Sequence, residues 1–263
     1  MKPLAVVTGA SSGIGAAFAR ALAARGYDLA LVARREDRLR QLADELALRD
    51  QSECTVLTAD LTCDEDLRRV EEFLASTPNL VLLVNNAGFG TMGRFFQAPV
   101  EGQDAMHRLH VLATMRLTHA ALRNLVARGE GAVVNVSSVA AWVPRPGATS
   151  YYATKAWINC FTESLRMELQ TAGSRVRVQA LCPGFTVTEF QGKAGVNRAR
   201  VGRGWWMRAE DVVEASLTGL EKGELFVVPG LRYKLIVRLL RLLPRGVLSF
   251  ALLHGPASLR RDR

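Results

Sequence analysis

The chain has 263 residues, 49% of them hydrophobic and 22% charged, which suits one large α/β domain with a sizeable core. Its four cysteines, Cys54, Cys63, Cys160 and Cys182, contain no CxxC pair, and His107, His110, His119 and His254 show no HExxH spacing, which argues against a disulfide framework and a metal centre. The net charge of +9 is not distributed like that of a nucleic-acid binder: residues 231–263 hold eight basic residues and one aspartate, while the remainder hold 26 basic and 24 acidic residues.

Apolar, β-branched runs occur at 4–8, 29–33, 55–59, 80–85, 132–137, 175–181 and 225–228. Between them lie segments of helical periodicity at 16–25, 39–48, 67–74, 106–127 and 153–169. Strands apolar on both faces, each followed by an amphipathic helix, predict an α/β fold: a doubly wound, Rossmann-type parallel sheet of about seven strands. We expect a single catalytic domain over 1–230 and a basic amphipathic extension over 231–263. No run reaches the roughly 18 uncharged apolar residues of a membrane span, and residues 1–8 lack a signal-peptide core, so the expected location is the cytoplasm. In such folds ligands bind at the carboxyl ends of the strands, so function is expected in the loops that follow each run.

The first of these loops reads Thr8-Gly9-Ala10-Ser11-Ser12-Gly13-Ile14-Gly15, between a strand and a helix. Glycines let the backbone turn sharply and approach a pyrophosphate, and the helix N-terminus offers free N–H groups and a positive dipole end. The spacing resembles the cofactor turn of the short-chain dehydrogenase/reductases, and the resemblance runs to about Gly230. It implies a nicotinamide dinucleotide held by Thr8, Gly9, Ser11, Ser12, Gly13, Ile14 and Gly15.

The second run ends in Ala33-Arg34-Arg35. Where an NAD-selecting enzyme carries an acid for the ribose 2′-hydroxyl, this chain has Ala33. A guanidinium binds the 2′-phosphate that a carboxylate would repel, so NADP(H) is expected in preference to NAD(H). Arg34 is its expected ligand, and Arg35 the start of a charged helix face. The resemblance makes Asp60, with Leu61, a contact of the adenine; the alternative for Asp60 is an N-cap of the next helix, a role Thr62 could also fill. Asn85-Asn86-Ala87-Gly88 looks like the family's Asn-Asn-Ala-Gly motif, with Asn86, Ala87 and Gly88 lying along the cofactor.

Ser138 closes the fifth run, Tyr151 follows thirteen residues later, and Lys155 stands four beyond. At i and i+4 the tyrosine and lysine share one helix face. Hydride transfer to a carbonyl leaves an oxyanion that needs a proton. A phenol is a poor acid at neutral pH unless a neighbouring ammonium stabilises the phenolate. A serine hydroxyl adds a hydrogen bond to the substrate oxygen. Tyr152 is the rival phenol but points a helical step away from Lys155. The resemblance makes Ser138, Tyr151 and Lys155 catalytic, with Tyr151 and Lys155 also against the cofactor and Lys155 on the nicotinamide ribose.

One position departs from the family pattern. The frame Val111-Leu112-Ala113-Thr114-Met115-Arg116-Leu117-Thr118 puts His110 where the family has an asparagine that holds a water linking the lysine to solvent. A neutral histidine can donate and accept, so it either holds that water or only packs; protonated, it would repel Lys155.

After the sixth run, Pro183-Gly184-Phe185-Thr186-Val187-Thr188 resembles the family segment on the carboxamide and phosphates, which assigns Pro183, Gly184, Thr186 and Thr188. Residues 189–207 read as a lid with aromatic anchors Phe190, Trp205 and Trp206, and Phe89, Trp142 and Val143 as the opposite wall; ordinary packing is the alternative. The expected function is NADPH-dependent hydride transfer between nicotinamide and the carbonyl or alcohol of a fairly apolar substrate, with a 3-oxoacyl thioester and a hydroxysteroid both open. A catalytically weak NADP-binding regulatory protein is the alternative, favoured by His110 alone. The resemblance also implies a homodimer or homotetramer through the helices at 106–127 and 153–169, and no nucleic-acid partner is expected. In the tail, Lys234, Arg238, Arg241 and Arg245 make a basic stripe beside Leu235, Ile236, Leu239, Leu240, Leu242 and Leu243, with Pro244 a kink or stop. Two readings stand: peripheral attachment to anionic lipid through 231–253, or leucines packed on the body or a second subunit with the cations solvated.

Overall fold

Every residue of β1 (Leu4–Thr8) is buried, and β2 (Asp28–Ala33), β4 (Leu80–Asn85) and β5 (Ala132–Val136) are nearly as apolar on both faces. Strands of this kind need cover on both sides. The computed structural model, which describes residues 1–190, 201–244, 246–247 and 250, supplies it. With β3 (Cys54–Thr58), β6 (Arg177–Leu181) and β7 (Phe226–Val227) these strands form one parallel sheet of seven, in the order β3-β2-β1-β4-β5-β6-β7. The expected doubly wound α/β sheet is present.

Helices α1 (Gly13–Ala23), α2 (Glu36–Asp50) and α7 (Ala209–Glu221) cover one face, burying Phe18, Leu39 and Val212 against Val7, Leu31 and Val134. Helices α3 (Asp64–Ser76), α5 (Thr114–Arg128) and α6 (Thr149–Thr171) cover the other, where Leu74, Leu117 and Leu169 meet Val6, Leu83 and Val178. The strand order reverses between β1 and β4, so the loops after those two strands flank a crevice at their carboxyl ends.

The helix expected at 106–127 is not continuous. It consists of α4 (Val100–His107), one π-helical turn (Arg108–Ala113) and α5. A π-turn is unfavourable in isolation and persists where tertiary contacts hold it, often at a functional site. Here the turn contains buried His110. Helix α8 (Leu231–Leu242) follows β7 and stops at Leu243, which is extended (φ −78°, ψ 131°) as the residue before Pro244 prefers. It packs Tyr233 and Val237 against Ala180, Cys182 and Val228 at the sheet edge. Lid residues 191–200 and the tail residues Arg245, 248–249 and 251–263 lie outside the described residues.

Candidate active site

The glycine turn joins β1 to α1, and Gly9 and Gly13 hold positive φ angles of 67° and 58° that a side chain would strain. A Cβ on Gly9 would stand 2.8 Å from Asn86 Nδ2, and one on Gly13 2.9 Å from Thr188 Cγ2. Gly15 packs against Gly9 O and Asn86 with no room for a Cβ. The first turn of α1 carries no acid, and Ser12 at its N-cap makes no side-chain cap bond, which leaves its leading N–H groups for an anion. The corner therefore fits a dinucleotide pyrophosphate.

Thr8, at 1% exposed, is part of the scaffold. Its hydroxyl accepts from the N–H groups of Asn86 (2.9 Å) and Ala87 (3.0 Å), while Asn86 Nδ2 donates to Thr8 O at 2.9 Å. These bonds fasten the loop after β4 to the glycine turn. Behind it a buried chain of amides and hydroxyls runs across the sheet: Asn85 Nδ2 donates to Thr118 and Asn135, and Asn135 Nδ2 to Thr162 on α6.

Arg35 is not merely the start of a charged helix face. The loops after the neighbouring parallel strands β1 and β2 lie side by side, and its guanidinium donates to Ser11 Oγ (3.1 Å), Ser12 Oγ (2.9 Å) and Glu189 Oε2 (2.8 Å). Arg34 reaches outward, its side chain 69% exposed, and pairs with Asp60 at 3.6 Å. Asp60 does not cap α3, because Cys63 occupies that N-cap. Its carboxylate instead accepts from Thr62 N–H and Thr62 Oγ1 at 3.0 and 2.7 Å. Burial opposes its charge, but the Thr62 bonds and Arg34 hold its pKa below the ordinary aspartate value. The Leu61 side chain is buried in the core.

The carboxyl end of β5 and the first turns of α6 bring Ser138, Tyr151 and Lys155 together. Lys155 is 6% exposed; its ammonium donates to Val136 O at 2.8 Å and lies 5.8 Å from the centre of the Tyr151 ring. Ser137 Oγ donates to Lys155 O at 3.0 Å, tying strand to helix. Ser138 Oγ accepts from Ala140 N–H at 3.1 Å, capping a short 3-10 turn. Burial pushes Lys155 down to about 8. The expectation that the ammonium brings the phenol toward neutrality is not met in the chain alone: burial pushes Tyr151 up to about 12, with a Ser138 hydrogen bond opposing the rise. Cys182, also raised to about 12 by burial, is a neutral thiol that donates to Asn159 Oδ1 at 3.4 Å.

His110 has both ring nitrogens engaged. Nε2 accepts from Phe89 N–H at 3.2 Å, which makes Nδ1 the protonated nitrogen, donating to Thr154 Oγ1 at 3.0 Å. Thr154 Oγ1 in turn donates to Tyr151 O at 3.1 Å. The imidazole thus clamps the loop after β4 to the helix that carries Tyr151 and Lys155, and neither nitrogen remains for a bridging water. Burial, reinforced by Lys155 and His107, holds its pKa well below the ordinary histidine value. It stays neutral where the sequence left repulsion of Lys155 open.

The loop after β6 closes the site from the other side. Thr186 forms a parallel bridge with Met207, and Val187 N–H donates to Met207 O at 2.9 Å, which joins the two ends of the lid segment. Phe190 stands 5.9 Å from the Tyr151 ring, centre to centre, and Trp206 5.5 Å from Phe185. Trp142 packs on Phe226 at 5.8 Å, toward the edge strand and away from this wall. Tyr233 of α8 packs so closely on Gly184 that no Cβ would fit there, accepts from Phe185 N–H (3.0 Å) and donates to Trp205 O (2.8 Å). Sequence reasoning passed over Thr154 and Tyr233 and gave Arg35 only a place on a charged helix face. Only Arg35 carried a signal, its place after a strand that neighbours β1.

The family described as short chain dehydrogenase matches residues 3–199 of this sequence. The chain belongs to that family. As a short chain dehydrogenase it is an oxidoreductase, and its relatives act on varied carbonyl compounds. Sulfoacetaldehyde reductase 2 of Chromohalobacter salexigens is 38% identical over 199 residues, 72% of this chain and 75% of that enzyme. The matched segment spans 60% of the length of two further curated relatives. Among solved structures, a short-chain dehydrogenase from Sphingobium yanoikuyae in complex with NADPH is 37% identical with a TM-score of 0.83, covering 94% of this chain and 95% of that one. The bulky-bulky ketone specific alcohol dehydrogenase from Comamonas testosteroni is 33% identical with a TM-score of 0.79, covering 94% of each chain.

Proposed function

We propose that this protein is an NADP(H)-dependent reductase of a fairly apolar ketone or aldehyde, with the reverse alcohol oxidation as its counterpart. The observation that carries the proposal is the convergence of Ser138, Tyr151 and Lys155 beside the glycine turn, with Phe190 against the Tyr151 ring. The bound cofactor would supply the hydride. The glycine turn and the N-terminus of α1 hold its pyrophosphate, Arg34 its 2′-phosphate, and Lys155 the nicotinamide ribose. The Ser138 hydroxyl bonds the substrate oxygen, and Tyr151 Oη delivers a proton to it.

A phenol near 12 is fully protonated at neutral pH, as a proton donor must be, and the Lys155 ammonium stabilises the phenolate left behind. Aromatic side chains around Tyr151 exclude water and suit an apolar substrate, as does the similarity to a ketone-specific alcohol dehydrogenase. NADPH in the Sphingobium structure supports the cofactor assignment, together with two arginines where an NAD enzyme carries an acid. The same reading includes a homodimer or homotetramer through α5 and α6, since Met115 and Val126 on α5 and Met167 on α6 are exposed; light scattering at a fixed concentration should return a mass above one chain.

The test is NADPH consumption against a panel of ketones and aldehydes graded in size and polarity. Turnover should rise with apolar bulk, and Tyr151→Phe should abolish it while leaving NADPH affinity nearly intact. Near-normal turnover in that variant, with Tyr152→Phe inactive, would overturn the assignment.

A further inference from the structure

Helix α8 is covered on one side only. Tyr233 and Val237 are buried, whereas Leu231, Leu235, Leu239 and Leu242 are 85%, 59%, 53% and 80% exposed. At 3.6 residues per turn these four leucines fall within a sector of about 80°. Lys234, Arg238 and Arg241 line one edge of that sector and Arg232 the other. No ion pair among the described residues involves α8. Arg232 donates to Gly204 O at 3.2 Å and Arg241 lies over the Phe226 ring at 5.9 Å, so both cations are steadied while keeping their charge uncompensated.

Charge decides what covers this face. A two-fold contact with a second copy would set these cations against their own images, and residues 231–263 supply a single acid, Asp262, to relieve them. A nucleic acid would neutralise the cations but leave four leucines in water. An anionic bilayer satisfies both. The leucines enter the boundary between headgroups and acyl chains, and the long lysine and arginine side chains reach up to the lipid phosphates. No helix among the described residues is long and apolar enough to cross a membrane, so the attachment is to the surface.

We propose that α8 docks this protein on anionic lipid membranes through Leu231, Leu235, Leu239 and Leu242, flanked by Lys234, Arg238 and Arg241. The covered side of the same helix holds the site, because Tyr233 bonds Phe185 N–H and Trp205 O. Docking therefore brings Phe185 and Trp205 to about one helix diameter, roughly 10 Å, from the lipid, where apolar carbonyl compounds dissolve. That last step rests on the hydride-transfer reading; the docking does not.

The full-length protein would be pelleted with vesicles of phosphatidylcholine alone and with vesicles containing about a third phosphatidylglycerol. It should sediment with the anionic vesicles only, and be released at about 0.5 M salt, where the screening length is roughly 4 Å. Each cation near an anionic leaflet is worth about fivefold in partitioning, so Lys234→Gln with Arg238→Gln should weaken binding about thirtyfold. Leu235→Ser with Leu239→Ser should weaken it at least tenfold. Both pairs are exposed, so melting temperature and solution mass should be unchanged. Three results would overturn the proposal: no sedimentation with either vesicle; binding kept by the α8 variants but lost in a chain ending at residue 250; or a fall in solution mass in the leucine variant, which would put a second copy on this face.

Discussion

Replacing His110 by asparagine tests whether the imidazole is a neutral clamp. Asparagine also donates and accepts, but its shorter side chain spans only one of the two partners, Phe89 N–H and Thr154 Oγ1. At about pH 7.5 the variant should lose roughly 1–3 kcal/mol, the cost of one buried group left without its bond. The gap should then depend on pH. The folded pKa of His110 is held well below 6.5 by burial, with Lys155 and His107 adding to the effect. A basic group with a depressed folded pKa contributes stability above its unfolded pKa. That contribution is lost as pH falls below about 6.5, because the unfolded chain then binds a proton the fold refuses. By about pH 5 the wild type should have lost roughly 2 kcal/mol that the asparagine variant has no means of losing. Urea unfolding of both proteins at the two pH values, at one protein concentration, measures the gap. It should narrow by about 2 kcal/mol on acidification, and could vanish or change sign. A gap that stays constant would mean that His110 accepts a proton in the fold and is not held by these two bonds.

Two other substitutions probe the cofactor corner and the lid. Arg34→Ala should weaken NADPH by about one to two decades and NADH little, since a charge-assisted bond to phosphate is worth roughly 1.5–3 kcal/mol. Arg35→Ala should weaken both cofactors alike, because Ser11 and Ser12 lose a shared anchor; fluorescence titration of each variant separates the two roles, and an NADPH-selective loss confined to Arg35→Ala would exchange them. Tyr233→Phe leaves Phe185 N–H and Trp205 O without their common partner. It should cost about 1–3 kcal/mol, a drop of roughly 2–12 °C in melting temperature for a chain of this size, and raise KM for an apolar ketone more than it lowers kcat. An unchanged melting temperature would remove the anchoring role.

The sheet was legible in the sequence because a strand buried on both faces must be a continuous apolar run, and a parallel neighbour demands a crossover helix between runs. All seven strands lie within two residues of the expected runs. The glycine turn and the Ser138, Tyr151 and Lys155 positions were legible for a related reason: each depends on spacing within one strand–turn–helix unit or one helix face. The break in the helix at 106–127 was not, because a π-turn leaves the apolar periodicity on either side intact and is held by contacts with distant residues, Phe89 and Thr154. The ionisation of Tyr151 and His110 was beyond the sequence as well. Spacing shows that a cation is near, but burial sets the sign of the shift and emerges only once the sheet and helices have closed. The two arginines were told apart by the adjacency of β1 and β2, which sends Arg35 across to Ser11 and Ser12 and leaves Arg34 facing outward. In the tail the sequence determined the composition of α8, leucines and cations without acids. Which leucines face water was decided by Tyr233 and Val237, whose burial at the sheet edge sets the rotation of the helix and turns Leu231, Leu235, Leu239 and Leu242 outward.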